Sequence, residues 1–173
     1  TNFVLGLGYV LTVNGGVPAQ SVRELIALAK SKSEPIRYSS AGIGNGQHLS
    51  AELFRLKAGI PLLHVPYKGG TAVVTDMLGG RIDLMFYSLA VVLPQFRAER
   101  LRAIAVTGPK RAFALPDVPT AIESGLPNYE FSAWLWMMAP KNTPRPIINT
   151  LNAKLKEVLK SPEVGKRMRV EEF

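Results

Sequence analysis

The sequence contains no cysteine, which excludes disulfides, thiolate metal sites and cysteine nucleophiles and leaves the redox compartment open. It has two histidines, His48 and His64; without a cysteine partner they are expected to cap a helix or sit at the core edge, and no metal is predicted. Long apolar runs are missing as well. The longest near the start, residues 3–13 (FVLGLGYVLTV), falls short of the roughly 20 residues that span a bilayer and has no basic residues before it, so it reads as neither membrane helix nor signal peptide. Catalytic signatures are absent: neither G-x-S-x-G nor S-x-x-K occurs, and nothing marks Asp76, Asp83 or Glu130 as an acid/base pair.

What is present is a chain of 173 residues, 47% hydrophobic and 20% charged, with a mean hydropathy of +0.11. Those values fit one globular domain or two small ones and exclude disorder for the bulk. The balance of 21 basic to 13 acidic residues gives a net charge of +8, which favours anionic partners. The basic residues are scattered and thicken only in the tail, with no helix-turn-helix, zinc or aromatic RNA-binding signature, so no nucleic-acid partner is predicted.

Along the chain, strand-like and helix-like segments alternate. After the opening run, Asn14-Gly15-Gly16 marks a turn, and SVRELIALAK reads as an amphipathic helix with Ser21 as N-cap and Glu24 closing a capping box. IRYSS is a strand, AGIGNGQH a loop, and LSAELFRLKAGI a helix stopped near Gly59; LLHVPY, KGG and TAVVTDML repeat that unit, and RIDLMFYSL follows as a strand. A short helix (QFRAE) is expected after Pro94, then the strand LRAIAVT, a proline-bearing loop and a helical turn at TAIESG. FSAWLWMMAP reads as a buried strand and the stretch from Thr143 as a helix with Pro144 and Pro146 in its first turn. Such alternation predicts a largely parallel sheet covered by helices. Trp134, Trp136, Met137 and Met138 read as core or interface filling.

The loop Ala41-Gly42-Ile43-Gly44-Asn45-Gly46-Gln47-His48 is the best site candidate. It leaves a strand and opens a helix, where unpaired N–H groups and the helix dipole favour an anion. Ser39, Ser40, Asn45 and Gln47 add neutral hydrogen-bonding groups. Its G-x-G-x-G spacing matches neither the dinucleotide fingerprint nor the P-loop, which disfavours nucleotides. A second loop, Pro66-Tyr67-Lys68-Gly69-Gly70-Thr71, would emerge at the same sheet edge and bring a second helix start to the site.

Taken together, HVPYKGG (64–70), TDMLGGRIDLMF (75–86), LRAIAVTGPKR (101–111), LPDVPTAIESGLPNYE (115–130) and APKNTP (139–144) resemble the Bug family, the periplasmic receptors of tripartite tricarboxylate transporters. The resemblance runs in order through nearly the whole chain. It implies an α/β, type II periplasmic-binding-protein fold whose two lobes close on a small organic carboxylate and deliver it to membrane permease subunits. It further implies a periplasmic binder that is not an enzyme and uses no cofactor. The loop aligned with Ser40, Ala41, Gly42, Gly44, Asn45 and Gln47 would wrap the ligand carboxylate, and Tyr67, Lys68 and Gly69 would line the same cleft. Tyr87 stands where relatives commonly carry an aspartate, which implies a plain or aromatic carboxylate rather than an amino acid. Ala41 and Ile43 replace commoner polar residues and imply a more apolar pocket.

By the same alignment the chain is a fragment, shorter than its relatives at both ends. Residues 17–130 would be a complete second domain, residues 1–16 a hinge strand of a partial first domain, and 131–173 its crossover strand and helix. The incomplete first domain would expose apolar surface and invite a homodimer. Two further readings stand beside the receptor: an α/β enzyme holding a carboxylate or phosphate substrate at the glycine loop, and a truncated, non-binding interaction fragment.

Overall fold

Strand β1 (Leu5–Asn14) has a divided role. Its first residues, Leu5 to Gly8, pair antiparallel with β6 (Ser132–Leu135), and from Tyr9 onward it runs antiparallel between β4 (Leu84–Ser88) and β5 (Leu101–Val106). Gly8 lies at the change of partner, where an added Cβ would stand 3.4 Å from the Gly108 nitrogen, so the close backbone approach favours glycine. The computed structural model describes residues 5–135 and 137–170, with all their side chains except those of residues 5–7, 70, 71, 134, 135 and 167–170. Phe3, Val4 and Trp136, assigned to strands in the sequence, lie outside the described residues, and the packing expected of Trp134 falls among the undescribed side chains.

The remaining elements are α1 (Val22–Ser31), β2 (Ile36–Ser40), α2 (Gly46–Ala58), β3 (Leu62–Pro66), α3 (Gly70–Leu78), α4 (Leu89–Arg97), α5 (Arg145–Leu159) and α6 (Pro162–Val170). The sheet order is β3-β2-β4-β1-β5. Strand β2 is parallel to β3 and to β4, as β-α alternation predicts, and β1 is the exception, antiparallel in the middle of the sheet. The result is a mixed α/β sheet.

Local signals explain most boundaries. Ser21 Oγ accepts the Glu24 N–H at 3.2 Å, while the Glu24 carboxylate accepts from Gln20 N–H at 2.7 Å, one residue before the partner a capping box uses. Helix α2 ends at Gly59 with φ 61°, the left-handed stop expected there. Helix α4 departs from expectation: it begins at Leu89 and runs through Pro94. Proline at the sixth position removes one backbone bond, but Leu89 and Val92, one turn apart, are both buried on the sheet, and that packing carries the helix past it.

Both faces of the sheet are covered, which is why β4 reads as a continuous apolar run. Leu84 and Phe86 face one core with Leu11, Tyr38, Leu25 of α1 and Phe54 of α2. Met85 and Tyr87 face the other, with Val10, Val73 and Met77 of α3 and Val92 of α4. Burying side chains of this size contributes roughly 1.5–3 kcal/mol each. Phe54, Phe86 and Tyr129 form an aromatic cluster with centroids 5.6–6.4 Å apart, and the Tyr129 hydroxyl meets Ser50 Oγ at 2.8 Å.

Among the described residues one buried group is out of balance: Ser39 Oγ is enclosed with no hydrogen-bond partner there. An unsatisfied hydroxyl costs about 1–3 kcal/mol of desolvation. Ser39→Ala is therefore expected to stabilise the chain by about 1 kcal/mol, a rise of a few degrees in Tm by differential scanning calorimetry. A lower Tm would show that the hydroxyl has a native partner.

Candidate functional site

Because β2, β3 and β4 are parallel, their carboxyl ends share one edge, and the loops that open α2 and α3 leave from neighbouring strands. The loops touch. Tyr67 N–H donates to the Ser40 carbonyl at 2.9 Å, and a Cβ on Gly42 would stand 3.9 Å from the Tyr67 carbonyl oxygen. Gly42 (φ 142°) and Gly44 (φ 80°) take backbone conformations that favour glycine, and these bend the chain back over the end of β2.

An account of the loop's N–H groups identifies the open ones. Ala41 N–H donates to Gln47 Oε1 (2.7 Å), Gly42 N–H to Ser40 Oγ (3.2 Å) and Gly44 N–H to His48 Nδ1 (3.2 Å). Asn45 caps α2, its Oδ1 accepting the His48 N–H at 2.9 Å, and its own N–H reaches the Gly42 carbonyl at 3.4 Å. The N–H groups of Ile43, Gly46 and Gln47 have no partner among the described residues. They lie at the positive end of a 13-residue helix, in a loop where Ile43 is 80% exposed. Open N–H groups at and just before a helix start, backed by the dipole, suit a carboxylate.

The sequence-assigned residues divide by role. Ser40 is fully buried, and its hydroxyl braces the loop from below through Gly42 and His64. Ala41, Gly42, Gly44, Asn45 and Gln47 shape the loop through the bonds just given. The Tyr67 hydroxyl donates to Asp76 (2.7 Å), which also pairs with Arg81 (2.8 Å). Burial first, then that bond to Asp76, pushes the Tyr67 phenol up to about 12. Tyr67 is thus tied to α3 and fixes the second loop. Lys68 is exposed and makes no ion pair among the described residues, and Gly69 (φ 127°) is the N-cap of α3, with no side chain capping it. Tyr87 is different: it stands near the carboxyl end of β4, but strand alternation turns its ring into the core beneath α3 and α4, 7% exposed.

The structure adds Tyr9, which sequence reasoning passed over as part of an apolar run. Its hydroxyl would be 2.5 Å from a Cβ on Gly46, so it stands against the first turn of α2, and its ring stacks on Phe131 (5.8 Å). A lone hydroxylated aromatic beside Gly8 was the available signal. Of two open grooves, one adjoins the loop through Tyr9. An open groove of 510 Å³ beside the β1–β6 crossing is lined by Tyr9, Leu89, Gly108, Lys110 and Arg111, and one of 350 Å³ by Met137, Met138, Ile148 and Leu151. The second is mainly apolar; the first holds Lys110 and Arg111, the latter paired with Glu123, and the glycine loop adds the open N–H groups at a helix start.

The sequence and the fold match those of known proteins. The profile of the family described as tripartite tricarboxylate transporter family receptor matches residues 2–173. An R. palustris protein solved with adipate superposes with a TM-score of 0.91 at 32% identity, covering 97% of this chain and 56% of that one. The periplasmic binding protein BugD gives 0.90 at 33% identity over 98% and 56% of the two chains. MatC from Rhodopseudomonas palustris with bound malate gives 0.87 at 27% identity over 98% and 57%. The chain spans about half the length of the curated relatives it matches: 46%, 42% and 48% of three that are 37%, 40% and 36% identical.

Proposed function

The chain belongs to the tripartite tricarboxylate transporter receptor family, and on that premise we propose that it is the carboxylate-holding part of a periplasmic receptor that binds a small organic di- or tricarboxylate and passes it to membrane permease subunits. The observation that carries this reading is the trio of open N–H groups at Ile43, Gly46 and Gln47, set at the start of α2. A fixed array of amides holds a carboxylate by charge-assisted hydrogen bonds without performing chemistry on it. A binder rather than an enzyme is the corresponding reading. Adipate and malate accompany two of the structural neighbours, which supports the substrate class.

The division of β1 between β6 and the pair β4/β5 supports a hinge near Gly8; the sequence boundary of 17–130 for the second domain then moves to include residues 9–16, which pair mid-sheet with β4 and β5, while residues 5–8 and the segment from 131 onward are assigned to the first domain. Among the described residues no helix is long and apolar enough to cross a membrane. Ile147, Leu151 and Val158 of α5 and the neighbouring Met137 and Met138 are exposed; association of two copies through this face belongs to the proposal.

A thermal-shift screen tests it, with adipate, malate, citrate, benzoate and glutamate as probes. At a ligand concentration 100 times Kd a binder gains about 2.7 kcal/mol, roughly 5–10 °C for a chain of this size. The expected result is a shift with a dicarboxylate and a smaller one with glutamate. A cooperative melt that no carboxylate moves would refute the reading for this chain.

A further inference from the structure

Two imidazoles meet beneath the glycine loop, His48 from α2 and His64 from β3, with ring centroids 4.4 Å apart. His64 stacks on Tyr38 (4.8 Å, 16°), and its Nε2 lies 2.7 Å from Ser40 Oγ. His48 accepts the Gly44 N–H at Nδ1, so that nitrogen carries no proton and the neutral ring holds its hydrogen on Nε2. Ser40 Oγ accepts the Gly42 N–H and lies 3.0 Å from the Gly42 carbonyl. All of its contacts are satisfied together when the Ser40 hydroxyl donates to that carbonyl and His64 Nε2–H donates to Ser40 Oγ. One imidazole thus holds the start of the loop and the other its middle.

The charges facing the pair are few. From α2, Glu52 accepts the Tyr38 hydroxyl (2.7 Å) and pairs with Arg55 (2.8 Å), so the nearby carboxylate is shared with two other partners. From β2 comes Tyr38, whose phenol burial and Glu52 hold strongly protonated, and from β1 the Tyr9 hydroxyl stands by Gly46. Burial, then the neighbouring His48, lowers the pKa of His64 below its ordinary value, with Glu52 acting weakly the other way. Without a ligand, a positive charge here meets the second ring and the positive end of α2. With an anion on the loop, that charge gains a partner.

We propose that the paired imidazoles of His48 and His64 couple carboxylate binding to uptake of a proton from solvent: an anion on the Ile43, Gly46 and Gln47 N–H groups draws a proton onto the pair that braces the loop. The two histidines are positioning residues, acting through the loop and through charge. The proposal rests on the carboxylate site proposed above. By linkage, a site that takes up a proton on binding binds more tightly as pH falls. The ligand's own protonation sets in at lower pH and acts in the opposite direction.

Calorimetric titration of the chain with adipate at pH 8 and pH 6, in two buffers of different ionisation enthalpy, tests this. The expected result is a Kd about 10-fold lower at pH 6 and a binding enthalpy that depends on the buffer in the sense of proton uptake. In His48→Gln and in His64→Gln, each measured on its own, the ratio of Kd at pH 8 to that at pH 6 should fall toward one. Because the ratio is taken within each protein, a uniform loss of affinity leaves it unmoved, and the wild-type buffer dependence needs no variant to fold. Binding at both pH values with no buffer dependence and no pH slope overturns the coupling and leaves the carboxylate site standing. Absence of adipate binding at either pH, with no shift from any other carboxylate, overturns the site and the coupling together.

Discussion

Gly44→Asp is expected to remove essentially all of the ligand-induced thermal shift, with carboxylate affinity falling at least about 100-fold. Gly44 has φ 80° and nothing within 4 Å of where a Cβ would sit, so the substitution causes no collision and only the modest strain of a left-handed conformation. Aspartate is among the residues that tolerate that conformation. The protein should therefore fold, with a negative charge beside the open N–H groups. At about 5 Å and an effective dielectric constant near 20, repulsion between two unit charges is about 3 kcal/mol, a factor of more than 100 in binding. Gly44→Asn supplies the same shape without the charge and should keep most of the shift. If the aspartate variant binds as well as the parent, the carboxylate does not sit at this loop.

Asp83→Ala is expected to lower stability by about 2–3 kcal/mol, or roughly 5–10 °C in Tm. The Asp83 carboxylate accepts from the backbone N–H of Arg37 (2.8 Å), from its Nε (3.0 Å) and from its Nη2 (2.9 Å), tying β2 to the start of β4. The Asp83 and Arg37 side chains are 16% and 42% exposed, and the exposed guanidinium keeps the loss at or below the floor of the range for fully buried pairs. Burial by itself raises the Asp83 pKa, but the side-chain and backbone bonds from Arg37 outweigh it and hold the carboxyl below the usual carboxylate range. A folded pKa below the unfolded value of about 4 gives stability that is present above that value and lost as pH falls through the folded one. The gap between parent and variant should accordingly be full at pH 7 and narrower at pH 3, measured as urea midpoints. An equal gap at both would mean that packing, not ionisation, supplies the stability.

The β-α alternation was legible because loops and helices here follow strong local rules: Ser21 caps α1, Gly59 ends α2, and the glycine loop opens α2 behind Asn45. The direction of β1 was not legible, since an apolar run with two glycines carries no mark of its partners. Helix α4 was masked for a related reason, because Leu89 and Val92 extend the apolar run of β4 and Pro94 suggests a break that long-range burial overrides. The glycine loop was readable from composition and position as a strand-to-helix connection with N–H groups at a helix start. Which of its N–H groups face outward was not, because Ala41, Gly42 and Gly44 are engaged by side chains at Gln47, Ser40 and His48 that only the folded turn brings within reach.

The sequence by itself determined the α/β character, the family and the strand–glycine loop–helix order around residues 36–58, because those depend on local propensity and on motifs that stay contiguous along the chain. Tertiary structure alone decided that Tyr87 faces the core, that Tyr9 stands against α2 and that His48 and His64 share the space beneath the loop. Each of these depends on the register between strands distant in sequence. A shift of one residue in that register turns every side chain to the opposite face.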